Sequence, residues 1–157
     1  MTRSLMKIDL CAVPIETGTN YPAPFRLAVE GRSRQRVGNA AGLTNFGVNI
    51  TTLTPGSQSA LRHWHSAQDE FVYVTHGELV LVTDAGEQVI KAGEMAGFAA
   101  GVANGHHLIN RSSYLATYLE IGDRTTPDQV DYPDQDLQCV PVDEGDRVFL
   151  HKDGRAY

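Results

Sequence analysis

From Gly42 to Gly122 the chain is a succession of short apolar and β-branched segments, each cut off by a turn signal. None carries the long 3.6-residue apolar period of an amphipathic helix. That pattern predicts an all-β barrel or sandwich built of short strands. NFGVNITTL reads as a strand closed at Thr54-Pro55-Gly56, SALRHWH as a second and EFVYVTHG as a third. ELVLVT and EQVIK flank Asp84-Ala85-Gly86, which predicts a hairpin with a three-residue loop. GFAAGV, HHLIN and YLATYLEIG follow, with Gly93-Glu94 and Asn104-Gly105 as turns.

The flanks differ. Residues 1–42 contain Pro14, Gly18 and the segment Tyr21–Phe25, where Pro22 and Pro24 predict an extended arm without helix. Residues 123–157 are polar and turn-rich and predict an irregular tail packed on the barrel, with at most one strand in RVFLHKDGRAY. A chain of 157 residues has the length of one domain. Such a domain buries roughly two thirds of its unfolded surface and can fold without disulfide or metal staples. Cys11 and Cys139 stand far apart in sequence and read as free thiols.

The formal net charge of −6 argues against nucleic acid or an anionic membrane as partner. The densest basic cluster, Arg32-Ser33-Arg34-Gln35-Arg36, reads as a solvated loop. No apolar run is long enough to span a bilayer, and Lys7, Asp9 and Glu16 interrupt the hydrophobicity of the N-terminal segment, so a cytoplasmic protein is expected.

Chemistry concentrates in the segment from Gly56 to Gly77. His63 and His65 share a strand face about 7 Å apart, and a carboxylate from the next strand can converge on them. Either Asp69 or Glu70 can supply it, and a third imidazole, His106 or His107, opens a later strand. Three nitrogens and one carboxylate suit one divalent Fe, Mn, Ni or Zn ion, with positions left for water or substrate.

The two stretches resemble the paired motifs of the cupin superfamily, above all the small single-domain bacterial cupins of cupin-2 type. Gly56, then His63-Trp64-His65, Glu70 after four intervening residues and Gly77 after six more resemble the first motif; Gly93, Gly101, His106 and Asn110 resemble the second. Ala99 stands where the family usually has Pro, and two extra residues precede His106. The resemblance implies a double-stranded β-helix (jelly-roll barrel) over residues 43–122. It implies a metal held by His63, His65, Glu70 and His106, with Asn110 supporting a turn or the shell and Gly77, Gly93 and Gly101 serving as backbone punctuation. His76 and His151 are expected at the surface.

If Glu70 points inward, Val72 and Val74 do as well, while Phe71 and Tyr73 point out. Trp64 and Arg62 then point out beside His63 and His65. An outer patch of Trp64, Phe71 and Tyr73 predicts a homodimer. The inward positions assigned this way, Leu61, Val72, Val74 and Leu108, include no Arg or Lys, which disfavours a phosphate-bearing substrate. The expected function is a metal-dependent enzyme acting on a small molecule by oxygenase or isomerase chemistry. The alternative is a non-catalytic small-ligand-binding or sensing module.

Overall fold

The computed structural model describes residues 7–142 and 146–157; the first six residues of the expected arm and three residues of the expected tail lie outside them. Its strands are β1 (Glu16–Thr17), β2 (Arg32–Gln35), β3 (Phe46–Leu53), β4 (Trp64–His65), β5 (Glu70–His76), β6 (Glu78–Thr83) and β7 (Gly86–Lys91). They continue as β8 (Met95–Phe98), β9 (His107–Ile109), β10 (Ala116–Asp123), β11 (Val130–Tyr132), β12 (Leu137–Pro141) and β13 (Arg147–Leu150). The pairings are antiparallel and form three sheets, ordered β1-β2-β3-β10-β5-β8, β13-β12-β11-β4 and β7-β6-β9.

Period-two alternation shapes β5 as the sequence predicts. Val72 and Val74 are buried, whereas Phe71 is 38% exposed. Val72 and Val74 join Leu53, Leu79, Leu81, Ile90, Leu108, Ala116 and Tyr118 in one core cluster, drawn from the six-stranded and three-stranded sheets. At roughly 25 cal/mol per Å² of apolar surface removed from water, a residue such as Leu53 or Val74 contributes about 1.5–3 kcal/mol. A second cluster, Tyr21, Val29, Leu61, Val130, Tyr132, Leu137 and Cys139, joins the N-terminal segment to the four-stranded sheet. Cys11 and Cys139 are free thiols, as expected.

Four local expectations are corrected. Residues Ala23–Val29 form a 3-10 helix despite two prolines. Pro22 is its N-cap and Pro24 stands in its first turn, where no amide hydrogen is required. The Arg-rich segment is not a solvated loop but strand β2, paired along its length with β3. The tail is not irregular: β11, β12 and β13 build a sheet that takes in β4. These strands are three to five residues long and separated by prolines and turns, so they carry too little local pattern to be legible. Finally, the β6–β7 loop has two residues, Asp84-Ala85, because Gly86 already pairs with Thr83.

Glycine is required at Gly77. Its φ is 75°, and a Cβ there would sit 2.8 Å from the Leu115 carbonyl oxygen. The tight β5–β6 connection depends on it, and β5 opens with Glu70.

Candidate metal centre

Three chain segments bring the predicted donors together. His63 and His106 form a two-residue antiparallel bridge, each amide donating to the other's carbonyl at 3.2 and 2.9 Å. His65 lies on β4, and Glu70 opens β5. One oxygen of Glu70 lies 2.7 Å from His106 Nε2 and 3.6 Å from His63 Nε2, and its other oxygen lies 3.6 Å from His65 Nε2. Donor atoms of His63, Glu70 and His106 all fall within 4.8 Å of one another. Asp69, the other carboxylate available in the sequence, instead accepts from the Ala100 amide.

The hydrogen bonds behind the rings decide which nitrogens are free. His63 Nδ1 donates to the Leu61 carbonyl at 2.8 Å, and His65 Nδ1 donates to Asp128 at 2.7 Å. In the neutral rings both Nε2 atoms therefore present lone pairs toward a carboxylate that also only accepts. Acceptors facing acceptors in a buried place require a cation between them, either a proton or a metal ion. His106 Nδ1 is enclosed without a good hydrogen bond, with the Asn104 carbonyl beside it. Phe98 stacks flat on the His106 ring at 3.5 Å between centroids and fixes its plane.

The electrostatics agree. Burial pushes the Glu70 carboxyl up, but His106 and His63 more than reverse this and hold it well below the usual carboxylate range. Burial pulls His63 down, yet hydrogen bonding to and the charge of Glu70 leave it raised. His106 stays lowered, because burial outweighs the help of Glu70. Three imidazoles and one ionised carboxylate suit a borderline divalent ion such as Fe, Mn, Ni or Zn.

His106, not His107, faces Glu70. His107 Nδ1 donates to the Ala60 carbonyl, although its ring also borders the adjoining cavity, so it does not simply point outward. Asn110 is fully buried and ties a turn together through Leu53, Tyr114 and Ser112. His76 is exposed, and His151 is bonded to Asp136 and stacked on Tyr157.

The cluster borders a cavity of about 240 Å³. Here the expectation of no inward cation is overturned. Arg32 and Arg34 of β2 and Arg147 of β13 all line it, with Tyr118, Glu120 and Tyr132. Alternation on the strands around the histidines says nothing of these arginines, which come from the segments expected as loop and tail. The Arg32-Ser33-Arg34 alternation is the one local signal of them, and it has meaning only when the segment is a strand. A second cavity of about 260 Å³, lined by Trp64, Gln68, Phe98 and Val102, also borders His65, Glu70 and His106.

Asp128 belongs to the candidate site although no sequence motif announces it. Its side chain is fully buried and accepts from His65 Nδ1 and the Ala67 amide at 2.7 and 2.9 Å, with Arg147 at 3.2 Å. It sets the tautomer and plane of His65.

Residues 49–122 match the family model of the cupin domain. A crystal structure from Silicibacter pomeroyi, described as a sugar phosphate isomerase from a cupin superfamily, is 44% identical over 96% of both chains with a TM-score of 0.92. The chain belongs to the cupin superfamily. A putative sugar phosphate isomerase from Acidithiobacillus ferrooxidans is 28% identical over 80% of each chain, with a TM-score of 0.72. The polyketide cyclase RemF from Streptomyces resistomycificus, 16% identical over 79% of this cupin and 83% of its own chain, shares the fold at a TM-score of 0.64. No curated protein sequence matches the chain.

Proposed function

We propose that this cupin is a metal-dependent isomerase acting on a small hydroxylated carbonyl compound. The observation that carries the reading is a compact cluster of His63, Glu70 and His106, with His65 Nε2 3.6 Å from Glu70, set in the wall of a cavity instead of sealed in the core. A structural metal would be closed off by its ligands, whereas this cluster is open to a ligand-sized space. The name sugar phosphate isomerase carried by the 44%-identical relative supports the same class.

A divalent ion held by His63, His65, Glu70 and His106 would act as a Lewis acid toward a carbonyl or hydroxyl oxygen. The remaining roles belong to the chain. Asp128 and the Leu61 carbonyl hold the imidazoles in place from behind. Glu120 lines the cavity outside the imidazole cluster and is positioned by Arg34, Asn49 and Thr51 at 3.2, 3.3 and 3.5 Å. It is the carboxylate suited to take a proton from the carbon beside the carbonyl and return it to the neighbouring carbon, which leaves the redox balance unchanged.

The test is NMR of a panel of aldoses, ketoses and their phosphates in D₂O with metal-loaded protein. Interconversion with deuterium entering the exchanging carbon is the expected result. Tight binding without exchange or turnover would replace this reading with that of a binding or sensing module.

A further inference from the structure

The wall of the cavity contributed by β2 and β10 has unspent hydrogen-bond donors. Arg32 and Arg34 alternate on β2, so their side chains leave the same face. Cross-strand register continues that face: Arg34 pairs with Thr51 of β3, and Thr51 pairs with Tyr118 of β10. Arg32, Arg34, Tyr118 and Glu120 consequently line one space.

Charge in this wall does not balance. Arg34 has Glu120 at 3.2 Å. Among the described residues Arg32 has no carboxylate; it donates to the Ser59 and Gly18 carbonyls at 2.6 and 3.1 Å. Two guanidinium groups thus share one carboxylate, and a positive charge is left over. Burial, and after it the charge of Arg34, disfavours the cationic form of Arg32, a tension that an anion placed between them would relieve.

Among the described residues, two buried polar atoms in the same wall lack a partner: Arg34 Nε and the Tyr118 hydroxyl. Tyr118 is 1% exposed, and Thr51 beside it turns its own hydroxyl to Glu120. Burial and the charge of Glu120 hold the phenol protonated, so it is a donor. A native fold rarely leaves such groups unpaired unless a ligand, an ion or ordered water completes them.

We infer that Arg32, Arg34 and Tyr118 form an oxyanion subsite that takes the phosphate group of a small phosphorylated substrate. A guanidinium fork and a neutral phenol suit phosphate oxygens, and a divalent ion in the neighbouring cluster would add to the attraction. The placement of the carbonyl end at that cluster rests on the isomerase reading; the subsite itself does not.

Inorganic phosphate is the probe, titrated into the full-length protein by calorimetry, both metal-loaded and after chelation, with acetate run in parallel. Saturable phosphate binding that persists after chelation, weaker than in the metal-loaded state, is expected, with acetate weaker than phosphate in both. Tyr118→Phe should weaken it about tenfold or more, since a hydrogen bond to a charged group is lost. Because that hydroxyl has no hydrogen-bond partner among the described residues, Y118F should melt at or above the wild-type temperature, which a merely structural hydroxyl would not allow. Arg34→Gln should weaken phosphate binding at least as much; if it folds poorly, Arg34→Lys, which keeps the charge without the fork, takes its place. Phosphate binding that vanishes on chelation, acetate binding tighter than phosphate, or wild-type phosphate affinity in Y118F and the Arg34 variant would each overturn the subsite. Phosphate binding that persists while metal-loaded protein leaves every sugar phosphate unchanged would refute the isomerase reading and leave the subsite standing.

Discussion

Asp128→Asn is the perturbation that most directly probes how the candidate metal centre is held. The carboxylate is fully buried and receives two donors at once, His65 Nδ1–H on one oxygen and the Ala67 amide on the other. Asparagine has the same shape but a single acceptor oxygen. Whichever donor it serves, its NH₂ group confronts the other, so one buried hydrogen bond is lost and two donors face each other. Losing a buried partner costs about 1–3 kcal/mol of stability. In a chain of this length that lowers the melting temperature by about 2–4 °C per kcal/mol. If His65 keeps the amide oxygen, its hydrogen-bond partner is no longer charged; if Ala67 keeps it, His65 loses its tautomer lock. Either way, metal affinity should fall about 10–100-fold, or about 1.4–2.8 kcal/mol. The assay is competition against a chromophoric chelator at a temperature well below the variant's melting point, with circular dichroism confirming the fold. A folded D128N that binds metal within twofold of wild type would refute the argument and remove His65 from the ligand set.

Four shorter predictions accompany it. His106→Ala should reduce metal affinity more than D128N does, whereas His107→Ala should leave it near wild type; the reverse ranking in the same assay would reassign the third imidazole. Because His63 in the metal-free protein holds its proton above the ordinary imidazole value of 6.5, metal binding near neutrality must displace that proton. Affinity should therefore climb as pH rises through and beyond 6.5, and calorimetry in buffers of differing ionisation enthalpy should register proton release; a flat profile would contradict it. Gly77→Ala should destabilise the protein by at least about 1–2 kcal/mol in urea unfolding, from the left-handed backbone alone, with the approach to the Leu115 carbonyl adding to that. We also propose that the outer face of the six-stranded sheet, with Phe71 38% and Met95 56% exposed, is covered by a second copy of the chain. Trp64 belongs to the other sheet and lines the second cavity, so the contact would centre on Phe71, Tyr73 and Met95. Sedimentation should give a dimer that Phe71→Glu dissociates, and a wild-type monomer at micromolar concentration would count against it.

Local geometry makes part of this protein legible in its sequence. A strand places i and i+2 on one face, so the pairing of His63 with His65, and of Glu70 with Val72 and Val74, follows from residue spacing alone. The same rule allows only one of His106 and His107 to face inward; the spacing to Asn110 in the cupin resemblance favours His106, and the structure places His106 beside Glu70. Gly77 reads as a turn because its conformation excludes other residues. The polar wall and the support behind the candidate metal ligands have no such local mark. Arg34 meets Glu120 across 86 positions, and His65 meets Asp128 across 63. The strands that bring them together, β2, β11 and β13, are three or four residues long and hold their shape through pairing with distant partners instead of through any period of their own. Local alternation thus determines which side chains on the histidine-bearing strands face inward, while long-range pairing alone decides that three arginines and a buried aspartate surround them.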